Sequence, residues 1–334
     1  MYETFYGLKE RPFELVPNPR FLFLTARQRE ALSNLQYGLT TARGLTLLIG
    51  EAGTGKTTLV QAALADVSTD NVKVVLMSNP TLTRSEFYEF LARAFELTDA
   101  ASDSKTRFLF ELRRELQERQ ASGYLSALVI DEAQSIPYEL LEEIRLLSNV
   151  ETTTTKLMNV ILAGQPELSD RLNDTSLRQL KQRISLRCQL KPMELNETAS
   201  YIAGRLRIAG GRPEQVFTRE AVSAVYQASG GLPRTVNVIC DNAMIGGFAA
   251  QVKPLNAAFV EDVCRDFDIK RAVSSAAPVS SLIDQSSEPA APVVPHLVSP
   301  TQVPTPATTP GSANESALAP MFGSVNRKRR FSFF

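Results

Sequence analysis

Lys56 and Thr57 close the pattern Gly50-x-x-x-x-Gly55-Lys56-Thr57, and a carboxylate pair, Asp131-Glu132, follows later in the chain. A lysine, a hydroxyl and two acids in this arrangement are the parts needed to hold a polyphosphate and cleave it with water. Glycines let backbone N–H groups curl around phosphate oxygens with no Cβ in the way. The candidate cradle is Gly50, Glu51, Ala52, Gly53, Thr54, Gly55, Lys56, Thr57 and Thr58. Lys56 is expected to reach the β- and γ-phosphates of a nucleotide, while Thr57 and Asp131 hold Mg²⁺. Glu132 is the expected general base for the attacking water.

Chemistry of this kind needs a strand before the glycine loop and a helix after it. The apolar run Leu45–Ile49 reads as a short buried strand, and Leu59-Val60-Gln61-Ala62-Ala63-Leu64 reads as a helix. Residues 72–77, 125–132 and 158–163 read as further strands, with helices over 83–96, 105–119 and 137–149 between them. This alternation predicts an α/β core with a parallel sheet, over residues 26–191. Gln165, just after the strand over 158–163, is placed where a polar side chain can reach the γ-phosphate from beside the acidic strand. A basic cluster runs from Leu177 to Ile184, and one of its arginines is a candidate finger for a neighbouring subunit's γ-phosphate. Alternating residues over 185–190 suit an edge strand.

Residues 192–268 read as a small helical lid. Asn196 is the expected cap of a helix to residue 209, and Thr218 of the next. Leu232-Pro233-Arg234 opens another helix after Gly230-Gly231, which makes Arg234 a candidate second sensor folding back onto the phosphates. A last helix is expected over 256–267. At the other end, residues 1–25 carry aromatics punctuated by Pro12, Pro17 and Pro19, which predicts an extended strap across the domain surface. Thr25 is the expected cap of a helix over 27–41.

Composition narrows the functional classes. The 334 residues suit two compact domains and a tail, and 43% hydrophobic with 22% charged content is ordinary for a globular protein. With 36 basic and 36 acidic residues, bulk charge does not predict a nucleic-acid coat. No apolar run approaches the roughly 18 residues of a membrane span. The opening Met1-Tyr2-Glu3-Thr4 lacks the basic and apolar regions of a secretory leader. Cys188, Cys240 and Cys264 have no C-x-x-C spacing, so small buried thiols in a reducing cytoplasm are expected. The single histidine, His296, lies in a Pro- and Ser-rich stretch, which disfavours a histidine-based mechanism. Residues 269–320 are rich in Ala, Pro, Ser and Thr, which predicts a disordered linker. Residues 321–334 end in Arg327-Lys328-Arg329-Arg330 followed by Phe331, Phe333 and Phe334, a tail suited to an anionic membrane surface, nucleic acid or a protein partner.

Taken with Phe5-Tyr6-Gly7-Leu8, Pro12-Phe13, Pro17-Asn18-Pro19-Arg20-Phe21, Leu128 to Gln134, Gly164-Gln165-Pro166-Glu167-Leu168 and Leu177 to Ile184, the chain resembles the AAA+ ATPases, and within them the ExeA/GspA type, over residues 1–268. The resemblance implies a P-loop NTPase core with an all-α lid, and ATP and Mg²⁺ as ligands. It implies a homo-oligomer acting with an inner-membrane or envelope-assembly partner. By position it makes Lys56 and Thr57 the Walker A pair, Asp131 and Glu132 the Walker B pair, and Gln165 the first sensor. Arg183 becomes the arginine finger, with Arg178 the other candidate, and Arg234 the second sensor. Such ATPases often continue into a membrane span and a peptidoglycan-binding domain, whereas here a linker and a basic-aromatic tail follow. The exopolysaccharide- or exosortase-associated branch fits that shape better, with a cytoplasmic location that is peripheral at the inner membrane. A DNA-targeting transposition adaptor and a nucleotide-switched scaffold with little turnover are the alternatives.

Overall fold

The computed structural model describes residues 1–16, 18–42, 44–67 and 71–268. The linker over 269–320 and the tail over 321–334 lie outside the described residues. Five strands form one parallel sheet: β1 (Leu45–Ile49), β2 (Val72–Met77), β3 (Leu125–Ile130), β4 (Asn159–Gly164) and β5 (Ile184–Gln189), in the order β2-β3-β4-β1-β5. The interior strands β1, β3 and β4 are buried almost throughout, which is why each reads as a continuous apolar run. β5 lies at the sheet edge and alternates, as its sequence predicts.

The helices in chain order are α1 (Tyr2–Tyr6), α2 (Ala26–Thr40), α3 (Lys56–Asp66), α4 (Arg84–Ala94), α5 (Lys105–Ala121), α6 (Tyr138–Leu147), α7 (Pro166–Arg171) and α8 (Arg178–Lys181), followed by α9 (Leu195–Ile208), α10 (Pro213–Val216), α11 (Arg219–Ser229), α12 (Pro233–Ala249) and α13 (Ala257–Asp266). Strand side chains alternate between the two faces. Leu48 and Val129 therefore meet Leu35, Leu39 and Leu59 of α2 and α3, while Leu47 and Leu128 join Phe87, Phe108 and Ile144 of α4, α5 and α6 on the other face. Caps fix the helix starts. The Thr25 hydroxyl accepts from the Gln28 N–H, and the Gln28 amide oxygen accepts from the Thr25 N–H. Such a cap stabilises a helix by about 1 kcal/mol. The cap expected at Asn196 falls instead at Glu194, whose N–H donates to Glu197 at 2.9 Å, because the glutamate spaced three residues on can close a reciprocal box there.

Helices α9 to α13 form a bundle with its own core, and the N-terminal segment belongs to that core. The expected surface strap is therefore corrected. Residues Tyr2–Tyr6 are helical, Gly7 ends the turn at φ 70, and Tyr2, Tyr6, Leu8, Phe13 and Phe21 are buried among bundle residues. Large rings gain more from burial in the bundle than from lying across a surface. Their polar ends are satisfied there: the Tyr2 hydroxyl bonds Asp241, and the Tyr6 hydroxyl donates to the Met244 carbonyl at 3.2 Å.

Main chain passes main chain closely where the residue run before α9 meets Gly231, between α11 and α12. Gly231 has φ +76, and a Cβ there would lie 1.9 Å from the Met193 carbonyl oxygen. The Met193 N–H donates to the Gly231 carbonyl at 2.9 Å. Gly231→Ala is expected to cost at least about 2 kcal/mol, since neither the left-handed backbone nor the adjacent main chain can yield cheaply. Urea unfolding tests this, and a loss below about 0.5 kcal/mol would contradict the reading.

Candidate functional site

The glycine loop after β1 curls as its sequence requires. Gly53 and Gly55 have φ +81 and +93, and α3 begins at Lys56. The Lys56 ammonium donates to the carbonyls of Gly50 at 2.9 Å and Glu51 at 3.1 Å, and the residue is buried. Burial pushes its pKa below that of an ordinary lysine, and the nearby carboxylates of Glu132, Asp131 and Glu167 partly oppose this. A desolvated ammonium with only carbonyl partners is poised to exchange them for phosphate oxygens. The loop N–H groups and the α3 N-terminus supply the remaining donors.

The second wall follows from strand order. β4 lies between β1 and β3, so the loops after β1, β3 and β4 emerge along one edge of the sheet. Asp131 is buried there, and its Oδ2 accepts from the Thr57 hydroxyl at 2.6 Å. Its Oδ1 accepts from the Glu132 N–H at 2.9 Å. Among the described residues no group of three or more His, Cys, Asp or Glu could hold a metal alone. A hydroxyl and a carboxylate side by side nevertheless fit Mg²⁺, a hard cation that takes few protein oxygens and completes its shell with water and substrate phosphates. Thr57 and Asp131 are the residues that would hold it, and the ion would neutralise charge on the phosphates.

Glu132 stands at the end of this wall with φ +52, an uncommon conformation for a non-glycine residue. Its Oε2 accepts from the Gln134 amide at 2.6 Å and lies 3.4 Å from the Gln165 amide. No donor among the described residues reaches its Oε1. Gln165 thus meets Glu132 directly. The sequence carries only a faint signal for Gln134: a glutamine two residues past the acid, in a segment short enough to form the single 3-10 turn Ala133–Ser135.

The other walls come from the bundle and the N-terminal segment. The Arg234 N–H donates to the Gly53 carbonyl at 3.3 Å, and a Cβ on Gly53 would lie 3.0 Å from the Arg234 Cβ. Glycine at 53 is what allows this approach. Arg234 lines a cavity of about 510 Å³ together with Lys56, Thr57, Glu132 and Gln165. Val16 and Phe23 of the N-terminal segment border the same cavity, as do Tyr201 and Arg205. The buried Arg205 guanidinium donates to the Tyr201 hydroxyl at 2.6 Å and to the Pro12 carbonyl, and stacks 5.0 Å from the Phe21 ring centre. No periodicity in the sequence marks these contacts as site contacts.

Arg178 and Arg183 stand apart from the cavity. Arg183 immediately precedes β5, whose first residue pairs with Leu45 at the start of β1, whereas the cradle follows the end of β1. At about 3.3 Å per residue, the length of β1 separates them. Arg183 lies near Glu151, whose pKa is held low chiefly by the Lys156 ammonium and to a lesser degree by Arg183. Arg178 is exposed at the start of α8.

The AAA domain family matches residues 39–172. The chain is 40% identical over 250 residues, 75% of its length and 45% of the relative's, to General secretion pathway protein A of Aeromonas hydrophila. This chain is an AAA-domain relative of General secretion pathway protein A. The likeness to GspA-type ATPases drawn from the motifs is thereby borne out. The AAA relative is also 32% identical over 134 residues, 40% of its length and 43% of the other, to the Mu-like prophage FluMu DNA transposition protein B of Haemophilus influenzae. It spans about half the length of these curated relatives. Among solved structures, the Aeropyrum pernix ORC2 protein in its ADPNP-ADP complexes shares the fold with a TM-score of 0.57 at 16% identity, over 77% of this chain and 72% of that one. The expected P-loop NTPase fold is borne out. No described helix is long and apolar enough to cross a membrane.

Proposed function

We propose that this chain binds ATP with Mg²⁺ and hydrolyses it, working as an oligomeric AAA+ motor or switch in envelope secretion or in exopolysaccharide export and assembly. One observation carries the reading: Lys56, Thr57 with its hydroxyl on Asp131, Glu132, Gln165 and Arg234 converge on one cavity although they come from three loops and the helical bundle. Lys56 and the loop N–H groups hold the β- and γ-phosphates. A water oxygen bonds to the γ-phosphorus as the bond to the β,γ-bridging oxygen breaks, and that electron pair leaves with ADP. The water proton passes to Oε1 of Glu132 and then to the released phosphate or solvent. Gln165 senses the γ-phosphate beside the base. Arg234 closes the bundle over the phosphates as a lid. Arg183, too far from its own cradle, serves a neighbouring copy.

The process served is inferred from the likeness to General secretion pathway protein A. An inner-membrane or envelope-assembly partner and a peripheral place at the inner membrane follow from that likeness and from the basic-aromatic residues 321–334. The identity with a DNA transposition protein favours a second reading, a DNA-targeting adaptor. Zero formal net charge gives that reading less support.

Phosphate release and ATP affinity test the first reading. Lys56→Ala removes the one ammonium in the cradle and is expected to weaken ATP binding by on the order of 10- to 100-fold, the value of a charged hydrogen-bond donor. Turnover by the unaltered protein that matches Lys56→Ala would overturn it.

A further inference from the structure

The hydrolysis reading leaves Gln134 unused, yet this residue is the hub of the loop that carries the base. Its amide nitrogen donates to Glu132 Oε2 at 2.6 Å, while its amide oxygen accepts from the Gln165 N–H at 3.0 Å. One side chain thus bridges the general base and the first turn of α7. The bridge is stiff at both ends. Gln165 is the N-cap of α7, and Arg171 at the far end of that short helix donates to the carbonyls of Gln134 at 2.5 Å and Ile136 at 2.6 Å. The Arg171 guanidinium also stacks 4.6 Å from the Tyr138 ring centre. Both fastenings of the loop therefore ride on α7. Gly164, just before Gln165, allows the approach: a Cβ there would lie 3.2 Å from both the backbone nitrogen and the amide oxygen of Gln134.

We propose that Gln134 is a positioning residue for hydrolysis: it anchors one oxygen of Glu132, leaves the other to take the water proton, and ties the base to the helix that begins at Gln165. This rests on the ATPase reading above. Three features support it. A carboxylate free to rotate loses productive orientations, and holding one oxygen by a charge-assisted bond removes that freedom. The left-handed backbone at Glu132 persists because the surrounding turn determines it, and the Gln134 bridge is part of that turn. Both amide ends of Gln134 are matched, the nitrogen to an anion and the oxygen to an N–H, so the amide cannot flip without losing both bonds.

The test compares wild type, Gln134→Ala, Gln134→Glu, Lys56→Ala, Glu132→Gln and the Gln134→Ala/Glu132→Gln double variant. Turnover is read by phosphate release and affinity by equilibrium binding of a fluorescent ATP analogue. Gln134→Ala is expected to lower kcat by about 10- to 100-fold with analogue affinity within about twofold of wild type. Gln134→Glu keeps the length and the acceptor for the Gln165 N–H but loses the donor to Glu132, and is expected to be as slow as Gln134→Ala. In the Glu132→Gln background, Gln134→Ala is expected to change the residual rate by less than about twofold, because residues that act through one group are not additive. A general packing defect would weaken analogue binding and would multiply in the double variant, and either result overturns the proposal. Lys56-dependent turnover in wild type with Gln134→Ala at wild-type rate overturns the positioning role alone. Wild-type turnover equal to that of Lys56→Ala overturns the ATPase reading, and the positioning role with it.

Discussion

Glu132→Gln is expected to slow phosphate release by about 10²- to 10⁴-fold while ATP stays bound. The substitution is close to isosteric, and an amide oxygen can still accept from Gln134 and Gln165, whose amides surround Oε2. The backbone bond that closes the turn over Glu132 to Ser135, the Ser135 N–H donating to the Glu132 carbonyl at 2.9 Å, is independent of the carboxylate. What disappears is the proton acceptor at Oε1 and one negative charge facing the γ-phosphate. Losing that charge removes a repulsion, so ATP affinity is expected to hold or rise. Single-turnover phosphate release and retention of labelled ATP through a desalting column are the two measurements. Release within twofold of wild type would remove Glu132 from the role of base.

The second large effect concerns the basic edge. Under the oligomer reading, Arg183→Ala is expected to lower turnover by about 10³-fold or more, since an arginine supplied in trans to the transferring phosphoryl group is worth that much. ATP affinity is expected to stay near wild type, because Arg183 sits at the opposite end of β1 from its own cradle and cannot contact its own nucleotide. Mixing Arg183→Ala with Lys56→Ala gives the sharper test. Each variant lacks a different half of a shared site, so mixed assemblies contain some interfaces with an intact cradle facing an intact arginine. Turnover is expected to reappear on mixing. Parallel assays of Arg178→Ala decide between the two arginines: the finger loses turnover, while an exposed bystander stays within about twofold. If mixing restores nothing at any ratio, the trans role is lost.

Much of the fold is legible in the sequence because its signals are local. Leu45–Ile49 and Leu125–Ile130 read as buried strands since an interior parallel strand must be apolar on both faces. Thr25, Thr218 and Asn256 mark helix starts because a short side-chain oxygen beside free N–H groups is a contact within one turn. The N-terminal segment did not yield to such reading. Its prolines signal irregular chain, but the surface that receives Tyr2, Tyr6 and Phe13 is made by helices far along the chain.

The same division runs through the site. The glycine pattern and the acid pair are set by sequence alone, because a phosphate cradle is built from backbone geometry that glycine spacing encodes and a strand end displays its acids wherever the strand lies. Which groups surround them was decided by tertiary structure. Gln134 meets Gln165 only because β3 and β4 are neighbours in parallel register, Ile130 opposite Leu162. Arg234 meets Gly53 only because the bundle folds back onto the loop. Arg183 is removed from its own cradle by the pairing of β5 with β1. Strand order and helix docking come from the sum of many apolar contacts across the whole chain, and no local pattern of residue types carries that sum.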